Sequence, residues 1–424
     1  MWHLKDRLYT FLRFTERYTK TDMVYLAESG FWINLGTALV SLLSIVLYIV
    51  FARTLSPQVY GTYQYLLSGA ALIGALTLTG MNYAVTRAVA RGFEGTFRTS
   101  IRMQLRWGGI ALLVSLLVAA YYAMSGDIVL ALGFVLIAVF VPLTNALNTY
   151  TAYLAGKKDF RRLFLYTLFF NVPFYAGLML CAIFVPGALA LIATSFVIQT
   201  IAFYLAYRGT LRAHTPNDLI DEESLPYGKH LTVMNIPTTA ALLVDSLLIF
   251  QILGASSLAV YAFAIVIPDR LVGFFKFLPT SLLPVLSGKT SEEARSAVSF
   301  TQVVWLVICI ALIGGVYSLT APFIFEVLFP TYAGAVPFSQ LYALSMISVL
   351  GSVFGTALIA GRQIRSLYIF NTVIPVLQIV LLSLGVIFFG LWGAVWARII
   401  SAWLLVLVSA FLLYSPSRKD LQLP

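Results

Sequence analysis

Apolar runs of about 20 residues recur along the whole chain, separated by short polar or Pro/Gly breaks. A helix rising 1.5 Å per residue needs that length to cross a hydrocarbon core ~30 Å thick. Reading between the breaks predicts spans near 29–52, 59–86, 107–125, 128–155, 163–184 and 188–207. Six more follow near 231–253, 258–286, 298–320, 335–360, 367–389 and 391–414. The long 258–286 segment holds Pro268, Pro279 and Pro284 and is expected to kink. The expected class is an all-α integral membrane protein with about 12 transmembrane helices, because a lipid-facing segment must satisfy its own backbone hydrogen bonds.

Composition supports this reading. Hydrophobic residues make up 60% of 424 and charged residues only 10%, a balance that would aggregate in water. Of the 27 Lys and Arg residues, 23 fall in alternate breaks and so share one face, while the opposite breaks carry only Arg53. The positive-inside rule then predicts a multi-pass protein of the cytoplasmic membrane with both termini cytoplasmic. Orientation and attraction to anionic lipid account for the net charge of +10, so no nucleic acid is expected. Residues 1–28 hold Lys5, Asp6, Arg7, Arg13, Glu16 and Arg17, which leave no apolar core for a cleavable signal. With Trp2, Leu4, Leu8, Phe11, Leu12 and Phe14 they are expected to form an amphipathic helix on the cytoplasmic leaflet.

The longest polar stretch, 208–230, divides the spans into six and six. This predicts a bundle over 29–207, a cytoplasmic linker over 208–230, a second bundle over 231–414 and a cytoplasmic tail over 415–424. Two sequence matches cross the linker. Leu55-Ser-Pro-Gln-Val-Tyr-Gly-Thr-Tyr63 aligns with Leu253-Gly-Ala-Ser-Ser-Leu-Ala-Val-Tyr261, and Ala155-Gly156-Lys157 with Ala360-Gly361-Arg362. An even number of spans per half makes this a parallel internal repeat, with a substrate site expected between the repeats near the bilayer midplane.

The chain resembles the multidrug/oligosaccharidyl-lipid/polysaccharide exporter superfamily, in particular its polysaccharide-biosynthesis branch of Wzx-type flippases. The run Phe51-Ala-Arg-Thr-Leu-Ser-Pro-Gln-Val-Tyr-Gly-Thr-Tyr63 carries the resemblance, with Asp245, Leu253-Gly254, Tyr261 and Pro279-Thr-Ser-Leu-Leu-Pro-Val-Leu-Ser287. It implies a V-shaped twelve-helix transporter that moves a polyprenyl-pyrophosphate-linked oligosaccharide outward across the membrane by alternating access.

Five charges remain inside the expected spans: Asp245, Asp269, Arg270, Lys276 and Arg398, all in the C-terminal half. A charge at the bilayer centre costs about 2.5–3.5 kcal/mol on insertion scales, so each needs a partner or a wet cavity. Arg270 is the leading candidate for binding pyrophosphate, with Lys276 and Arg398 as helpers, because a guanidinium offers bidentate hydrogen bonds to phosphate oxygens. Asp245 and Asp269 are candidates for charge pairing or for taking up a coupling proton or sodium ion. The competing structural reading joins Asp245 to Arg398 and Asp269 to Lys276 as neutralised pairs. Asn145 and Asn148 could hydrogen-bond sugar hydroxyls or simply fasten helices.

The chain carries no Walker-type phosphate loop. His3, His214 and His230 have no second ligand at metal spacing, and Cys181 and Cys309 lie in spans, so no metal, cofactor or disulfide is expected. A polytopic glycan polymerase or glycosyltransferase is the enzymatic alternative, disfavoured by short outward loops in which the longest offers only Glu326. A multidrug extruder of the same superfamily is the transport alternative. Its cationic cargo would call for an acidic cavity, whereas the buried charges are three positive to two negative.

Overall fold

The computed structural model describes residues 23–275, 300–360 and 373–414. These residues are almost entirely helical, with no strand among them. The helices are α1 (Met23–Thr54), α2 (Pro57–Gly74), α3 (Met81–Ala90), α4 (Gly95–Met124), α5 (Ile128–Leu147), α6 (Tyr150–Gly156), α7 (Phe160–Phe184) and α8 (Ala188–His214). They continue as α9 (Ser224–Leu253), α10 (Ala255–Phe274), α11 (Phe300–Leu328), α12 (Val336–Tyr342), α13 (Ser348–Ala360) and α14 (Ile374–Tyr414). Turns of 3-10 helix, Pro330–Ala335 and Ala343–Ile347, flank α12.

Ten helical stretches among the described residues are long and apolar enough to cross a membrane. Two local features reconcile ten with the expected twelve. The 41-residue α14 is interrupted at Gly390, whose φ of 59° and ψ of −137° are non-helical. A side chain on Gly393 would collide with the Gly385 carbonyl, so the chain folds back on itself there. The one long helix thus holds the described part of the span expected at 367–389 and the whole of that expected at 391–414. Positive φ is why a glycine sits at this reversal.

The second feature corrects an expectation. The span expected over 59–86 is two helices, α2 and α3, because the helix stops after Gly74. The Thr77 hydroxyl donates to the Gly74 carbonyl (2.7 Å) and Leu78 takes a φ of 60°. A local hydroxyl-to-carbonyl bond of this kind competes with the helix ladder. Backbone left unpaired inside a bilayer must find protein partners, and Asn145 of α5 supplies them. Its amide N–H groups donate to Gly74 O (3.3 Å) and Thr77 Oγ1 (2.7 Å). The expected kink over 258–286 falls partly on residues outside those described, as do residues 1–22 of the amphipathic segment and the tail from 415.

The chain packs as two compact units, one holding the chain up to Thr54 with Ile73–Met234, the other Leu55–Leu72 with the chain from Asn235 on. These boundaries differ from the bundles expected at 29–207 and 231–414 in two respects: the first four turns of α2 belong with the second unit, and the expected linker 208–230 belongs with the first. In the first unit α4 lies along α5, α5 against α8, and α1 against α7. In the second, α10 and α11 flank α12, and α13 packs on α14. Ala321, Met346, Leu350, Phe354 and Ala357 lie in the core of this second unit.

The segment Leu55–Leu72 is held in the second unit by close contacts with α9 and α10. Ser256 Oγ donates to Gln58 Oε1 (3.2 Å), a pair separated by 198 residues and therefore equivalent in the internal repeat. Gln251 Nε2 donates to the Tyr65 hydroxyl (2.8 Å), whose ring stacks on Phe250 at 4.0 Å. Tyr60 leans on Phe263, itself stacked on Tyr332 at 3.9 Å. Gly61 permits this approach: a Cβ there would sit 1.8 Å from the Ala255 carbonyl oxygen.

Candidate functional site

Three chain segments of the second unit bring charge to one depth. Asp245 lies nine residues before Gly254, Tyr261 seven after it, and Arg398 eight after the reversal at Gly390. At 1.5 Å per residue these are about 10–14 Å from the turns, so the three side chains meet at one level. Arg398 Nε donates to Asp245 Oδ2 (3.0 Å), Nη2 donates to the same oxygen, and Nη2 also donates to the Leu242 carbonyl (3.1 Å). The Tyr261 hydroxyl donates to Asp245 Oδ2 (2.9 Å). Asp245 is 2% exposed. A carboxylate taken that far from water is tolerated only with a counter-charge and further donors, and here it has both.

A second polar group follows on α10. The Tyr342 hydroxyl donates to Asp269 Oδ1 (3.2 Å), and Tyr342 also feels the charges of Arg398 and Asp245. Asp269 is exposed and Arg270 half-buried. Ile267, Leu271 and Phe275 face the unit's core at helical spacing, which sets Arg270 off the core-facing strip. Among the described residues Arg270 makes no ion pair and no hydrogen bond. Lys276 lies outside the described residues.

The structure thus brings together Asp245 and Arg398 as the pairing reading expected. Asp269 and Arg270 sit next to each other in sequence, and Asp269 is bonded to a tyrosine. Asn145 is engaged at the α2–α3 break, and Asn148 is half-buried with no side-chain hydrogen bond among the described residues. Sequence reasoning missed Tyr342, since a tyrosine among apolar residues gives no sign of its partner. Tyr261 was visible only as part of the repeat motif.

It also missed a polar cluster of the first unit that involves the expected linker. Burial pushes the Glu94 carboxyl up, but hydrogen bonds from Lys157 Nζ and from the Tyr153 hydroxyl (2.8 Å) outweigh it and hold the group below its ordinary value. Asn217 Oδ1 accepts from the Glu94 backbone N–H (3.1 Å), and Asn217 Nδ2 donates to Gly92 O (2.9 Å). Ser224 Oγ donates to Asp221 Oδ2 (2.8 Å), which with Arg91 at 3.1 Å holds the Asp221 carboxyl down despite its burial. Arg98 reaches Asp218, and Asp159 takes both Arg162 and His214. The stretch expected as a linker is therefore clamped onto α3, α4 and α6 of its own unit.

Among the described residues no group of His, Cys, Asp and Glu is placed to hold a metal ion.

A family model described as polysaccharide biosynthesis protein matches residues 26–289. No curated protein sequence is significantly similar to the chain. Solved structures with a similar fold include an inward-facing multidrug resistance MATE family transporter of the MOP superfamily, with a TM-score of 0.60 at 12% identity over 88% of this chain and 94% of that one. A MOP superfamily transporter from Pyrococcus furiosus, reported to have a binding pocket of reversed polarity, gives 0.61 at 11% over 92% and 95%. The lipid II flippase MurJ in an inward closed conformation gives 0.58 at 12% over 89% and 86%. At such low identity these likenesses concern the fold.

Proposed function

The chain belongs to the polysaccharide biosynthesis protein family and has the fold of MOP superfamily membrane transporters, and from that premise we propose that it is a flippase for a polyprenyl-pyrophosphate-linked oligosaccharide. It carries this anionic lipid across the cytoplasmic membrane for cell-surface polysaccharide synthesis, with both termini in the cytoplasm. The observation that carries the reading is Arg270. It is a half-buried cation in a spanning helix without a counter-ion among the described residues, whereas Asp245 and Arg398 neutralise each other. A lone guanidinium in a low-dielectric setting is stabilised when an anion arrives, and a pyrophosphate supplies two charged groups at the fork spacing.

In this reading Arg398 is a fastener more than a ligand, because Asp245 and Leu242 already take its Nε and Nη2 donors. Its share in pyrophosphate binding is then through the local field. Asp269, more exposed than Asp245, is the better placed of the two carboxylates to take up a coupling proton or sodium ion, with Tyr342 orienting it. Lys276 remains a helper by sequence alone. The flippase likeness of MurJ supports a lipid-linked cargo, and the multidrug relatives keep drug efflux as the competing reading.

The test replaces Arg270 by Ala and by Lys and scores restoration of surface glycan in cells lacking the gene, with protein levels matched. Arg270→Ala should abolish glycan display and Arg270→Lys should keep a minor part of it. Full activity in both would remove Arg270 from the mechanism. Purified protein in vesicles should move a fluorescent polyprenyl-pyrophosphate sugar; dye efflux in its place would favour the multidrug reading.

A further inference from the structure

The first unit carries an apolar groove of ≈ 660 Å³ on α7 and α8, lined among others by Leu165, Tyr166, Phe169, Pro173, Leu205 and Gly209. Its sequence origin is local. Pro173 lies within α7, and Gly209 contributes no side chain, so that Tyr166 packs where a Cβ would stand. Both walls end in cations. Arg161 lies one turn before Leu165, and Arg208 and Arg212 lie three and seven residues after Leu205 on the same helical face. All three arginines are exposed and none has a carboxylate partner among the described residues; Arg208 touches only the Tyr204 hydroxyl and ring. By contrast Arg162, beside them, is paired with Asp159.

The length of the groove narrows its occupant. From Arg161 to Pro173 is 12 residues, or ~18 Å of helix, which is close to one leaflet of a ~30 Å hydrocarbon core. A basic rim at headgroup level over an apolar trough one leaflet deep is complementary to a phosphate joined to an ordinary acyl chain. A long prenyl chain would outrun it.

We propose that this groove is a binding site for an anionic diacyl phospholipid of the surrounding membrane, with the phosphate on Arg161, Arg208 and Arg212 and one acyl chain between α7 and α8. The site is separate from the unit that holds Arg270, and the inference stands whether or not the chain is a flippase.

The full-length protein in detergent, titrated with phosphatidylglycerol or with phosphatidylcholine of the same chains and read by native mass spectrometry, tests it. The wild type should retain one phosphatidylglycerol in preference to phosphatidylcholine, and that preference should shrink on raising salt. Arg161→Gln/Arg208→Gln/Arg212→Gln should lose on the order of tenfold in phosphatidylglycerol affinity. Arg102→Gln/Arg106→Gln, which removes two exposed charges elsewhere, should not. Leu205→Trp, which fills the trough, should weaken both lipids alike. An unchanged preference in the triple variant, a salt-independent preference in the wild type, or one-for-one displacement by added polyprenyl phosphate would each overturn the assignment.

Discussion

The two units treat their charges in opposite ways. In the first, Glu94, Asp159, Asp218 and Asp221 are met by Lys157, Arg162, His214, Arg98 and Arg91 in a network at the ends of helices, with Asn217 and Ser224 filling the remaining bonds. In the second, Asp245 and Arg398 form the single ion pair among the described residues, enclosed by helices, with one tyrosine and one carbonyl as further partners. Where water is near, each contact is replaceable and individually weak. Inside a spanning bundle, nothing replaces a lost partner. Redundancy therefore marks the clamp on residues 215–224, and strict pairing marks the buried site.

The strongest test of this contrast is Asp245→Ala. It strands Arg398 and should destabilise by about 3–5 kcal/mol, read as a lowered thermal midpoint in detergent. The double variant Asp245→Ala/Arg398→Met should recover most of that loss. A double variant as unstable as the single one would show that packing, not charge, holds the site. Glu94→Ala should cost less, about 1–3 kcal/mol, because Lys157 can turn to water while the Tyr153 hydroxyl is left buried.

The pH dependence follows from the same clamp. Glu94 and Asp221 titrate below their ordinary values, so their contribution is fully present above the unfolded values near 4.5 and 3.8 and is lost as pH falls through the folded ones. The thermal midpoint should therefore hold from pH 7 to about 5 and fall below about 4. Glu94→Gln should flatten that acid limb, and a limb of unchanged slope would locate the acid sensitivity elsewhere. The smallest effect is expected of Tyr261→Phe. It removes one of several donors to Asp245 and should cost about 0.6 kcal/mol, the average for a polar contact between spanning helices. A loss as large as that of Asp245→Ala would make the tyrosine an equal partner in the pair.

Much of this was legible in the sequence because the bilayer imposes a simple rule. Apolar length gives spans, and each of the twelve expected stretches holds helix where it is described, with breaks at 75–80 and 148–149 inside two of them. The depths of Asp245 and Arg398 could be counted from their turns, so their pairing was foreseeable. The α2–α3 break was not, since Leu76-Thr-Leu-Thr-Gly80 carries no charge, and the Asn145 amide and the Thr232 hydroxyl that join the Thr77 hydroxyl in stabilising the gap are distant in sequence. Nor was the clamp, whose polar residues read as solvated loop.

By itself the sequence determined the class of the protein, the number and rough limits of its spans, the repeat and the short list of charges that need explaining. It could do so because hydrophobic length and charge spacing are local properties of the chain. Only the tertiary structure decided which charges are neutralised and which residues share a unit. Helices distant in sequence must first be laid side by side before Arg398 can find Asp245 and before Leu55–Leu72 can pack on α9 and α10.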